Sequence, residues 1–175
     1  MTTAPSTGGP SPSPSDSVIQ DFADMSAALT GFQSSFLRPF IDPVNLSGTF
    51  YSFASSQAGQ SMMDALLEAF RAIQSESAQT IADTLLEVSS DKPSNQALLC
   101  RAIVAMWYLG SWYPPPFQTD GLQQVISAQA YTMSLAWNVA QAHPMGYSVF
   151  QFGYWSEAPK GLETFGVNMG NGVGQ

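Results

Sequence analysis

General-base or nucleophilic catalysis in this chain would have to use His143, the one histidine among its 175 residues. It precedes Pro144 in a stretch without helical or strand periodicity, and no serine sits in a G-x-S-x-G elbow, so no triad can be assembled. His143 therefore reads as a hydrogen-bonding residue that fixes the C-terminal segment. Cys100, the one cysteine, cannot form an internal disulfide and falls within an apolar helical pattern, where a small buried hydrophobe is expected. A metal site needs a cluster of His, Cys and carboxylates, and none is predicted. Two carboxylate pairs, Asp64 with Glu68 and Asp83 with Glu87, are spaced i, i+4 on predicted helices and read as solvated faces. The glycine-rich tail from Gly166 to Gly174 is followed by no helix and no Lys-Ser/Thr pair, so it forms no phosphate cradle.

The elements that would position these residues are helical. Val18, Phe22, Met25 and Leu29 recur at helical spacing behind a capping box of Ser17 and Gln20, and Gly31 supplies the stop. The spacing predicts a break at Asp42-Pro43 with a second helix near Pro43, then a helix from about Gly59 to Gln74 built on Met62, Met63, Leu66, Leu67, Phe70 and Ile73. A shorter helix carries Ile81, Leu85 and Val88. The strongest is capped by Asp91 or Ser94, buries Leu98, Leu99, Ala102, Ile103, Met106 and Trp107, and ends at Gly110. After the Pro114–Pro116 connector, Leu122 to Val139 again reads helical, with Val125, Ile126, Tyr131, Leu135, Trp137 and Val139 facing inward. No alternating pattern is long enough to support a sheet. The predicted fold is all-α: a compact bundle of about five helices over residues 17–140, with a disordered Pro/Ser-rich leader at 1–16 and an irregular aromatic-rich arm at 141–175.

Composition narrows the function further. Hydrophobic residues make up 45% of the chain but charged residues only 10%, against roughly 25% in an ordinary domain. The formal charge of −8 repels phosphates, which argues against nucleic acid as partner, and no apolar run is long enough for a membrane span. The N-terminus shows neither a basic region ahead of an apolar run nor an Arg-Arg pair. The arm holds Tyr147, Phe150, Phe152, Tyr154 and Trp155 without periodicity. It either packs back on its own helices or lies on another protein, and the charge depletion, a property of interface cores, favours the second reading.

Four segments resemble a known family. DFADMSAALTGF (Asp21 to Phe32), AMWYLGSW (Ala105 to Trp112), SAQAYTMSLAWNVAQAHPMGYS (Ser127 to Ser148) and FGYWSEAP (Phe152 to Pro159) are similar to the small subunit of membrane-bound FAD-dependent sugar and polyol dehydrogenase complexes. That family includes the small subunits of sorbitol, fructose and glucose dehydrogenases. Leu29, Thr30 and Gly31 match its helix-ending turn, Trp107, Tyr108 and Gly110 its central helix end, and Gly153, Tyr154, Trp155 and Pro159 its arm.

The resemblance implies a non-catalytic accessory subunit, periplasmic and peripheral to the inner membrane through its partners. It implies no cofactor in this chain, FAD on a large catalytic subunit of the glucose-methanol-choline type, and haem c on a multihaem cytochrome where a third subunit is present. His143, Tyr147, Phe150, Phe152, Tyr154, Trp155 and Pro159 are then the expected interface, with Trp107 in the core. Two features depart from the family pattern: the missing Arg-Arg signal, and the absence of a cysteine between His143 and Pro159. The alternatives are a secreted binding or structural protein with no enzymatic partner, and a stand-alone enzyme, which would need titratable groups converging in a pocket.

Overall fold

The computed structural model describes residues 14–118, 121–144 and 161. Within them the fold is all-α, with five helices of nine residues or more: α1 (Asp16–Thr30), α3 (Leu46–Ala58), α4 (Gln60–Ile73), α5 (Ala78–Leu86) and α6 (Asn95–Leu109). Three shorter helical turns, α2 (Ser34–Leu37), α7 (Ala128–Thr132) and α8 (Leu135–Val139), complete the set. A two-residue antiparallel ladder joins β1 (Ser111–Trp112) to β2 (Gln124–Val125).

α1 packs against each of α2 to α6, and its Phe22, Ala23 and Met25 are fully buried. The core it organises is aromatic. Trp107 of α6 meets Phe50 of α3 edge-on at 4.7 Å between ring centroids, lies nearly parallel to Phe22 at 6.5 Å, and Phe22 in turn meets Tyr51 edge-on at 5.7 Å. Edge-on pairs set the positive ring edge against the negative face, adding about 0.5–1.5 kcal/mol each beyond their buried area. Met63, Leu66, Leu67 and Phe70 of α4 and Leu99, Ile103 and Met106 of α6 fill the remainder, as the helical spacing required.

Local signals fix most ends. Ser94 rather than Asp91 caps α6, its hydroxyl accepting from the Ala97 N–H at 3.2 Å, and Gly110 closes the helix in the left-handed region at φ 64°. Gly31 closes α1 at φ 80°. The start of α1 differs from expectation: it begins at Asp16 behind Ser15, with no side-chain cap, and Ser17 and Gln20 form no box. Gln20 instead donates to Asp24 and Ser34, and Arg38 donates to Gln20 and pairs with Asp16, so the first turn is anchored by tertiary contacts. The second long helix begins at Leu46 behind Asn45, three residues past Pro43, and Val88 lies beyond the end of α5 and is exposed.

The largest correction concerns Leu122 to Val139, which is not one helix. Gln124–Val125 pairs with Ser111–Trp112, and two single-turn helices follow, starting behind Ser127 and Ser134. Leu135 is buried and Ile126 and Trp137 are partly covered, but Val125, Tyr131 and Val139 are exposed rather than inward-facing. The absence of a sheet is corrected with it. Gly110 turns the chain sharply enough for its carbonyl to accept from the Ile126 N–H at 3.2 Å, which pulls 124–126 into extended backbone.

Candidate functional site

The ends of α1 and α6 meet where Tyr108 reaches Thr30. The Tyr108 hydroxyl donates to the Thr30 carbonyl at 2.9 Å, an acceptor with no partner inside its own helix, and the Thr30 hydroxyl donates to the Ser26 carbonyl at 2.7 Å. Phe32, just past Gly31, meets the Tyr108 ring edge-on at 6.3 Å. Desolvation pushes the Tyr108 phenol above its ordinary value, so it stays a neutral donor. At Gly110 a Cβ would run into the Ala130 carbonyl, so glycine is required there for space as well as for φ. Leu29 and Trp107 are buried, and this junction is structural.

Beside it lies an open groove of about 430 Å³ between α2, the following loop, α6 and the α7–α8 segment. Leu37, Leu46, Trp107 and Leu135 form its buried floor, with Phe36, Pro39 and Met133 at the rim. Ser35, Asp42, Thr132 and Asn138 supply its polar edge. Next to it the loop between α2 and α3 lifts two apolar side chains into water: Phe40 is 103% and Ile41 81% exposed. The loop is built for this. Pro39 and Pro43 bracket it, and the Asp42 carboxylate accepts from the N–H groups of Val44 at 3.2 Å and Asn45 at 2.7 Å, closing an Asx turn. Sequence reasoning misses this tip. The signal that could have found it is that Phe40 and Ile41 stand between two proline breaks, where no helix face can claim them.

Chemistry-bearing residues do not converge. The Cys100 thiol is fully buried and desolvation pushes its pKa up to about 12, so it is an inert core residue. Asp64 and Glu68 are exposed on α4 as expected. Asp83 and Glu87 are not a helix-face pair, because Glu87 has left α5 in a left-handed conformation at φ 47°. Its carboxylate accepts from the Ser94 hydroxyl at 2.6 Å and the Ser94 N–H at 2.8 Å, which holds its pKa below the ordinary 4.5. His143 is partly buried with Nδ1 3.0 Å from the Pro144 carbonyl. Among the described residues no three His, Cys, Asp or Glu side chains group as a metal site, and no helix is long and apolar enough to cross a membrane. The other expected interface residues, Tyr147, Phe150, Phe152, Tyr154, Trp155 and Pro159, lie outside the described residues, as do Gly153 and residues 1–13 of the leader.

No family model, no curated protein and no solved structure matches this chain.

Proposed function

We propose that this chain is a non-catalytic accessory subunit that binds and stabilises an FAD-containing sugar or alcohol dehydrogenase of the glucose-methanol-choline type, in a periplasmic, membrane-associated electron-transfer complex. The observation that carries the reading is the Phe40–Ile41 tip beside an apolar groove, on a chain with only 10% charged residues. Water-exposed aromatic and aliphatic side chains flanking a concave apolar floor are the composition of a protein–protein interface core. The resemblance of Asp21–Phe32, Ala105–Trp112, Ser127–Ser148 and Phe152–Pro159 to small subunits of such dehydrogenases supplies the partner's class.

The test is co-expression with the product of a neighbouring reading frame that carries an FAD-binding G-x-G-x-x-G near its start. A stoichiometric complex is expected, with all flavin absorbance on the larger chain after separation, and Phe40→Ser with Ile41→Ser should loosen the complex without lowering the helix content of this chain. Stoichiometric flavin on the separated small chain, or failure of the two chains to associate, overturns the reading.

A further inference from the structure

We propose that the groove seats a partner segment in which an apolar anchor side chain is followed or preceded by a lysine or arginine, the cation placed against Asp42. This rests on the accessory-subunit reading and adds to it the chemistry of what docks.

The argument begins with charge. Among the described residues Asp42 is the one formally charged side chain lining the groove, and it is partly buried. Its carboxylate accepts from two backbone N–H groups, both neutral, and among the described residues it is in no ion pair. The cation nearest in sequence, Arg38, is committed to the Asp16 carboxylate and carbonyl and to Gln20. Arg71 is paired with Asp21, and Arg101 donates to the Leu86 carbonyl at 2.8 Å. The fold therefore places its arginines elsewhere and leaves a carboxylate in no ion pair on the polar edge of an apolar hollow, where partial burial lowers the local dielectric and strengthens attraction for an incoming cation.

Shape supplies the second half. A hollow of about 430 Å³ falls within the range of pockets that enclose small ligands, and it has room for one large apolar side chain and its neighbour. Its floor of Leu37, Leu46, Trp107 and Leu135 offers no competing polar partner at the exposed surface. A second copy of the chain is the poorer occupant: it brings another net charge of −8, its three arginines are already engaged, and Lys92 is the one described cation it could still offer. A basic segment of a different chain is drawn in by the same field that repels a copy.

The test titrates the isotope-labelled full chain with three capped pentapeptides, Gly-Lys-Leu-Phe-Gly and its versions with norleucine or glutamate in place of lysine. The lysine peptide should saturably shift the methyl signals of Leu37, Leu46 and Leu135, binding about two- to fivefold more tightly than the norleucine peptide at low salt, with the glutamate peptide weakest. Added salt should erase the difference. Asp42→Asn keeps an acceptor for Val44 and Asn45, so the loop survives while the charge is lost, and the lysine peptide should then bind like norleucine. Equal binding of all three peptides, no binding at all, indifference to Asp42→Asn, or concentration-dependent self-association through these methyl groups overturns the proposal. If the flavoprotein complex forms with Asp42→Asn at undiminished affinity, this inference fails and the accessory reading stands. Charge-selective peptide binding without any flavoprotein complex has the opposite meaning: the groove's preference stands and the accessory reading fails.

Discussion

The five long helices and the stretch from Ser111 to Pro144 share a charge-poor, aromatic composition yet bury it to different extents. In the first, Phe22, Phe50, Met63, Leu66, Ile103 and Trp107 are buried with essentially no exposed surface. In the second, Leu122 is 80% and Val125 60% exposed, with Tyr131 and Met133 also out in water. Composition alone does not distinguish a core from an exposed apolar surface. Periodicity does: residues repeating every three or four positions find a common helix face, whereas those broken by Pro114–Pro116 and single-turn helices cannot all point one way. The groove forms where the second stretch is laid over the first, its floor shared between Trp107 and Leu135.

The harshest way to break the contrast is Trp107→Ala, which empties the centre of the aromatic cluster and should cost roughly 3–5 kcal/mol of stability. Trp107→Phe should cost much less, because among the described residues the buried indole Nε1–H has no acceptor, and phenylalanine removes that donor along with part of the volume. Thermal melts followed by circular dichroism rank the two, and equal losses would show that the buried N–H carries no penalty.

Next come the two helix-ending glycines. Gly31→Ala should cost about 1–2 kcal/mol from left-handed strain alone, since among the described residues a Cβ there meets nothing within 4 Å. Gly110→Ala adds a clash with the Ala130 carbonyl and should cost about 1–3 kcal/mol more. Urea unfolding of the two variants measures the difference, and equal midpoints would mean that the second stretch sits loosely on the first.

Tyr108→Phe removes the bond that joins α6 to the end of α1 and should cost about 1 kcal/mol, with the Thr30 carbonyl left to water. The pH arm is gentler. Glu87 has a folded pKa below its ordinary value, first because of the Ser94 hydroxyl and then the Ser94 N–H, so its contribution is fully present above pH 4.5 and is lost as pH falls through the lower folded value. Glu87→Gln should therefore be less stable than the parent at pH 7, the gap closing as acid protonates Glu87; a gap that does not narrow in acid refutes the assignment. Smallest of all, Val125→Ser and Met133→Ser should each change stability by less than about 0.5 kcal/mol, as surface positions do.

Much of the bundle was legible in the residues. The Met62–Ile73 stripe, the Ser94 cap and the stops at Gly31 and Gly110 are local signals, each decided by a neighbouring backbone group or one helix face. The candidate site was far less so. Sequence reasoning places the interface on aromatic residues beyond His143 and passes over Phe40 and Ile41, because exposure is not a property of a residue type. Leu122 to Val139 misleads for a related reason: its apolar spacing fits a helix, but the β1–β2 ladder and the serines at 127 and 134 claim the same backbone.

The helical class and the five long helices are written into the order of the residues, because helix periodicity and capping act within a few positions of one another. Packing between distant segments settled the remainder. That Tyr108 reaches Thr30, that Gly110 must make way for Ala130, and that Asp42 lines an apolar hollow with its neighbouring arginine already engaged all depend on where several elements come to rest together. Such contacts follow from the summed geometry of those elements, and no local pattern encodes them.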